Sequence, residues 1–152
     1  MSFYLSQFLI AFFATMGFAL FFNCPKRVLI TSCTLSGIVW VIYKYLVLRT
    51  NNVITAGFTA SFILGVVSEF FARKYKTPAI IFILPGLVPM IPGAGTYYSM
   101  YYLIYKEYTT FQNVASETFY ILIALALGIV VATGVSRVFI TIMNKIKKKE
   151  TA

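Results

Sequence analysis

Apolar positions along the chain gather into five long runs, separated by short polar stretches. Residues 3–22 contain no charge. Residues 28–48 contain only Lys44, and residues 53–72 only Glu69, each near the end of its run. Residues 80–105 are uncharged but interrupted by proline and glycine, and residues 119–143 contain only Arg137. A helix rises ~1.5 Å per residue, so about 20 residues cross a ~30 Å hydrocarbon core, and every run is long enough. Strands of a membrane barrel would be about 10 residues long and alternate apolar with polar positions, which these runs do not do. The pattern predicts an all-α integral membrane protein. It has about five transmembrane helices, the fourth broken, in one transmembrane domain over residues 1–152. The first run lacks a basic residue ahead of it and a small-x-small site behind it, so it is expected to be an uncleaved span rather than a signal peptide.

The charges between the runs set an orientation. With the N-terminus outside, nine basic residues lie on the cytoplasmic side: Lys26, Arg27, Arg73, Lys74, Lys76, Lys145, Lys147, Lys148 and Lys149. Only Lys44, Arg49 and Lys106 lie outside. Cytoplasmic loops carry the excess of Lys and Arg, which selects this topology. If residues 80–105 were instead a re-entrant loop, four spans would remain and the bias would vanish. Residues 144–152 then form a basic cytoplasmic tail that anchors to headgroups.

Composition narrows the chemistry. The chain has 152 residues, of which 60% are hydrophobic and 11% charged, with a net charge of +9 and a mean hydropathy of +0.85. It has no His and four acids, all glutamates: Glu69, Glu107, Glu117 and Glu150. No Ser-His-Asp triad, zinc-hydrolase motif or aspartyl dyad can be assembled from that inventory, so an enzyme is not expected. Two cysteines, Cys24 and Cys33, are too few for a disulfide framework or a cysteine-rich metal site. No cofactor and no metal are expected. Because the basic residues punctuate apolar runs, their partner is the lipid bilayer rather than nucleic acid.

Small residues recur every fourth position in two runs: Gly57, Ser61 and Gly65 in the third, and Ala124, Gly128, Ala132 and Ser136 in the fifth. Such stripes let helix backbones approach closely. They predict packing faces, either within the chain or between subunits of a homo-oligomer.

The densest signal is Pro85-Gly86-Leu87-Val88-Pro89-Met90-Ile91-Pro92-Gly93-Ala94-Gly95-Thr96. Proline lacks an N–H and clashes with the preceding turn, so prolines at 85, 89 and 92 are not expected within one regular helix. The break falls at the middle of an apolar run, where irregular backbone must be buried in protein or line a wet cavity. A helix restarting near Thr96 would direct the free N–H groups of residues 97–99 toward the membrane interior, where they would attract a carboxylate. A proline kink without a ligand is the plainer alternative. Gly93-Ala94-Gly95 is not a phosphate loop, since no Lys-Ser/Thr follows it. The candidate substrate-binding set is Pro85, Pro89, Pro92, Gly93, Gly95, Thr96, Tyr97 and Tyr98.

This proline-glycine segment resembles the signature of the smaller component of the threonine/serine exporter family. Gly17-Phe18-Ala19 with Phe22-Asn23-Cys24-Pro25-Lys26-Arg27 resembles the family's first span and loop, and Phe58-Thr59-Ala60-Ser61-Phe62 with Gly65 resembles its third span. The resemblance implies a bacterial inner-membrane protein that works with a larger membrane subunit, the two being fused in some members. It also implies export of threonine and serine or, in a two-subunit branch, of succinate.

Glu69 and Arg73 are four residues apart and are expected to pair on one helix face. Arg137 either snorkels to the cytoplasmic headgroups or faces a cavity and holds a substrate carboxylate, which adds it to the candidate set. The tyrosines from Tyr97 to Tyr108 read mainly as an aromatic belt at the outer surface. The expectation is a subunit of a secondary exporter for small carboxylate metabolites, since no nucleotide-binding motif is present. The alternative is a non-transporting scaffold subunit of a larger transporter.

Overall fold

A computed structural model describes residues 2–150, with side chains through Phe139. The basic tail at 144–152 lies outside the residues whose side chains are described. All regular structure among the described residues is helical: α1 Ser2–Phe21, α2 Lys26–Thr50, α3 Val53–Tyr75, α4 Ile80–Leu87, a 3-10 turn Val88–Met90, α5 Gly93–Ile104 and α6 Tyr108–Glu150. Four helices are long and apolar enough to cross a membrane. The pair Ile80–Met90 and Gly93–Ile104, bent by 54°, supplies a fifth span if counted as one. The all-α class with a broken fourth element holds.

The helix ends follow from local chemistry. The Asn52 side chain caps α3 by accepting from the Ile54 N–H at 3.0 Å and the Thr55 N–H at 3.2 Å, which satisfies donors the first turn leaves open. α1, α2, α3 and α5 each stop at a residue with positive φ: Asn23, Asn51, Lys76 and Lys106. At Lys76 the cap N–H reaches Arg73 O and the next N–H reaches Ala72 O at 2.8 Å, a Schellman closure. α6 starts eleven residues before the expected boundary at 119. The stretch Gln112–Asn113 and Glu117 depress apolarity there, but a helix propagates through polar residues once packed.

α1 packs on α2, α2 on α3, and α3 on α6. α4 inserts against α2 and α3, whereas α5 leaves this group and lies along α6. The core contains Val28, Val39, Leu64 and Phe82, with at most 1% of their surface exposed. Hydroxyl and amide bonds tie the first three helices together: Thr15 to Ser36 at 2.6 Å, Trp40 Nε1 donating to Gln7 Oε1 at 3.0 Å, and Thr31 to Tyr75 at 3.0 Å. Within lipid such bonds add directional cohesion that apolar contacts cannot supply.

The two small-residue stripes face each other. Gly57 lies under Leu125, Gly65 approaches Ala132 and Ile129, and Gly128 abuts Ser61 Oγ and the Phe58 carbonyl. The six residues Gly57, Ser61, Gly65, Ala124, Gly128 and Ala132 are all buried in this internal crossing.

Candidate functional site

The break in the fourth span is narrower than the proline spacing suggests. Pro85 lies inside α4 and is fully buried. Its missing N–H deprives the Ile81 carbonyl of its usual donor, and one such loss is tolerated in a short helix clamped between neighbours. Gly86, next to it, allows this clamping, since a Cβ there would press into the Leu64 side chain. The helix gives way only at Val88–Met90, where Pro89 sits in the 3-10 turn. Pro92 then occupies the centre of a three-residue turn with φ −76° and ψ 67°. Its flanking residues close that turn through Gly93 N–H to Ile91 O at 2.8 Å, the geometry of an inverse γ-turn.

α5 restarts at Gly93, three residues earlier than Thr96. The Thr96 N–H reaches Pro92 O at 3.1 Å and its hydroxyl donates to the same carbonyl at 3.2 Å. Thr96 therefore belongs to the first turn and does not cap it. The N–H groups that this helix start leaves open are those of Ala94 and Gly95, not those of residues 97–99. Neither Gly93 nor Gly95 has positive φ. Their small size matters differently: a Cβ on Gly93 would meet nothing within 4 Å, whereas one on Gly95 would collide with Thr118 Oγ1 of α6. Gly95 thus sets the close approach of α5 to α6. Ser99, one turn on, is the buried residue of α5.

The restart is exposed. Gly93, Ala94 and Thr96 are open on the surface of the chain, as are Tyr97 at 65% and Tyr98 at 49%. The substrate site expected at residues 85–98 is therefore not an enclosed cavity within this chain. Arg137 is exposed on α6. It lies 19 residues beyond Thr118, the residue under Gly95, which is roughly 28 Å along a straight helix, so the fold does not bring it to the break. Glu69 and Arg73 do pair, at 3.3 Å.

A cavity missed in the sequence lies about one turn before the break. The turn between α1 and α2 and the start of α4 enclose about 350 Å³, bordered by Asn23, Cys24 and Pro85 among others. Burial pushes the Cys24 thiol above its ordinary pKa. Among the described residues no group of three or more His, Cys, Asp or Glu could hold a metal ion.

Residues 7–135 match the family described as Threonine/Serine exporter, ThrE. The chain belongs to this exporter family. With its apolar helices, this ThrE-family chain is a multi-pass membrane protein, in a family described as exporters. A protein of Haemophilus influenzae (strain ATCC 51907 / DSM 11121 / KW20 / Rd), described as an uncharacterized protein, is 26% identical over 110 residues. The aligned part covers 72% of this ThrE-family chain but 37% of that relative, so the chain spans little more than a third of the protein it resembles. No solved structure matches.

Proposed function

We propose that this ThrE-family chain is the small membrane subunit of a two-component secondary exporter in a bacterial inner membrane. The N-terminus lies outside and the C-terminus in the cytoplasm. The substrates are small carboxylate metabolites, either threonine/serine-type amino acids or succinate-like dicarboxylates. One observation carries the reading: a helix start of open N–H groups sits within an apolar span but is exposed on this chain. α5 runs 12 residues from the break to its outer end, about 18 Å, which puts the break inside a ~30 Å core. Polar backbone at that depth needs a protein cover or a wet cavity. A larger subunit laid over α5 would supply the cover and convert the exposed restart into a binding cavity. The length of the Haemophilus influenzae relative, of which this chain matches 37%, supports a partner of that kind.

The substrate carboxylate would meet the N–H groups of Ala94 and Gly95 at the positive end of α5, where a low-dielectric setting strengthens the attraction. Exposed Tyr97 and Tyr98 would donate hydroxyl bonds from the same face. Gly93→Val is the test, since a Cβ there meets no atom from the rest of the fold within 4 Å. Export per assembled complex should fall severely while insertion and co-purification with the larger subunit stay intact.

The scaffold reading draws on a different observation, the contact of Gly95 with Thr118, which gives one break residue a packing role. If Gly93→Val assembles and exports at wild-type rates, that reading replaces the first.

A further inference from the structure

The cavity beside the α1–α2 turn has mostly apolar walls, with Asn23 and Cys24 as the exceptions. Phe22, Pro25, Ile80, Ile81, Leu84 and Pro85 form the apolar part, around about 350 Å³, the low end of the range for ligand pockets. Phe22, Ile80 and Leu84 are 46%, 51% and 44% exposed, so the cavity opens sideways, where the bilayer lies. It is a lateral groove rather than a chamber.

Its rim has the opposite character. Lys26 and Arg27 begin α2 directly after the lining residue Pro25. Arg73 and Lys74 end α3, and Lys76 stands four residues before the lining residue Ile80. All five are exposed. Among the residues whose side chains are described, Glu69 is the acid at this end, and it is held by Arg73 at 3.3 Å. Glu107 and Glu117 belong to the far end, at the α5–α6 turn and the start of α6. The groove is thus mostly apolar within, and the chain segments that lead into and out of its walls carry exposed cations.

We propose that this groove binds one anionic phospholipid, with an acyl chain against Ile80 and Leu84 and its phosphate among the cations of Lys26, Arg27 and Lys76. The two halves of the site exclude the simpler occupants. A free carboxylate or inorganic phosphate would satisfy the rim but leave the apolar walls in contact with nothing it can offer. A zwitterionic lipid would fill the walls but gain little from a rim with a net positive charge. Basic pockets between membrane helices on the cytoplasmic side have this preference for anionic headgroups. The bound chain would also lie along Leu84, one turn before the helix breaks, and so brace the half of the span that packs in the core.

Native mass spectrometry of the full chain tests this, using phosphatidylglycerol and phosphatidylcholine with identical acyl chains. One phosphatidylglycerol should be retained and phosphatidylcholine lost. Lys26→Gln with Arg27→Gln should weaken retention about 25-fold, each cation near the surface being worth roughly fivefold. Leu84→Trp, which fills the groove and removes no charge, should also abolish retention. Arg49→Gln at the opposite end should change nothing. Circular dichroism checks that each variant is folded, and Leu84→Trp carries the test if the double variant is not. Equal retention of both lipids would overturn the proposal, as would wild-type retention by a folded Leu84→Trp chain. Displacement of phosphatidylglycerol by millimolar inorganic phosphate would also overturn it, pointing to a small-anion site.

Discussion

Single residues divide sharply by what lies beside them. A Cβ at Gly128 meets the Ser61 hydroxyl and the backbone of Phe58 and Phe62, whereas one at Gly134, six residues on, meets nothing within 4 Å. Gly128→Val should therefore destabilise the fold by about 2 kcal/mol or more, because the obstructing atoms are largely backbone and cannot yield. Gly134→Ala should raise stability by up to about 1 kcal/mol through helix propensity. Thermal unfolding in detergent would measure both, and a Gly128→Val variant as stable as wild type would contradict the α3–α6 crossing. Cys24 gives a second prediction at this scale. Its thiol is raised by burial, so the reactive thiolate is scarcer at neutral pH than on a free cysteine. Maleimide labelling of Cys24 in a Cys33→Ala chain should be slow at pH 7 and accelerate as pH rises through and beyond the ordinary thiol range. Labelling as fast as a free thiol at pH 7 would contradict that environment.

At the scale of elements, the sequence was most legible where hydrophobic length alone decides. The first three runs end within three residues of α1, α2 and α3, and the stripes of small residues announced a close crossing before its partner helices were known. It was least legible where tertiary support overrides local preference. Pro85 is a helix breaker by its own chemistry, yet α2 and α3 hold its helix together. The eleven polar-tinged residues before 119 were unreadable as helix because their support comes from packing on α5. The cavity at the α1–α2 turn had no sequence signal at all, since its walls come from stretches some 55 residues apart. The bend itself makes a prediction. With Pro89 and Pro92 both replaced by Ala, the N–H groups missing at the 3-10 turn and the γ-turn return, and residues 80–104 can form one continuous helix. Spin-label distances across residues 80 and 104 should lengthen and transport should be lost. Unchanged distances would show that packing rather than proline fixes the 54° bend.

For the whole molecule, the question is what covers α5. It touches α6 on one side, while Tyr97, Tyr98, Met100, Tyr101, Ile104 and Tyr105 are open. Lipid suits most of that surface, but not the polar restart at Gly93 and Ala94. Cross-linking from a cysteine placed at Ala94 should capture the proposed larger subunit in cells that express both. A cross-link to lipid alone would remove the reason for a two-component site. Orientation is testable in the same cells. A reporter fused after Ala152 should be active only in its cytoplasmic form, and periplasmic activity would reverse the assignment made from the basic residues.

The four left-handed helix stops have a practical consequence for anyone seeking a more robust sample. None of Asn23, Asn51, Lys76 and Lys106 is glycine, although a lysine in that conformation costs about 1 kcal/mol that glycine would not. The chain has therefore left easily recoverable stability in its loops. Lys106→Gly is the best single choice. It relaxes the turn at φ 61°, and it removes one of the three cations that lie outside in the proposed orientation, so the folded state and that orientation should be strengthened by the same substitution.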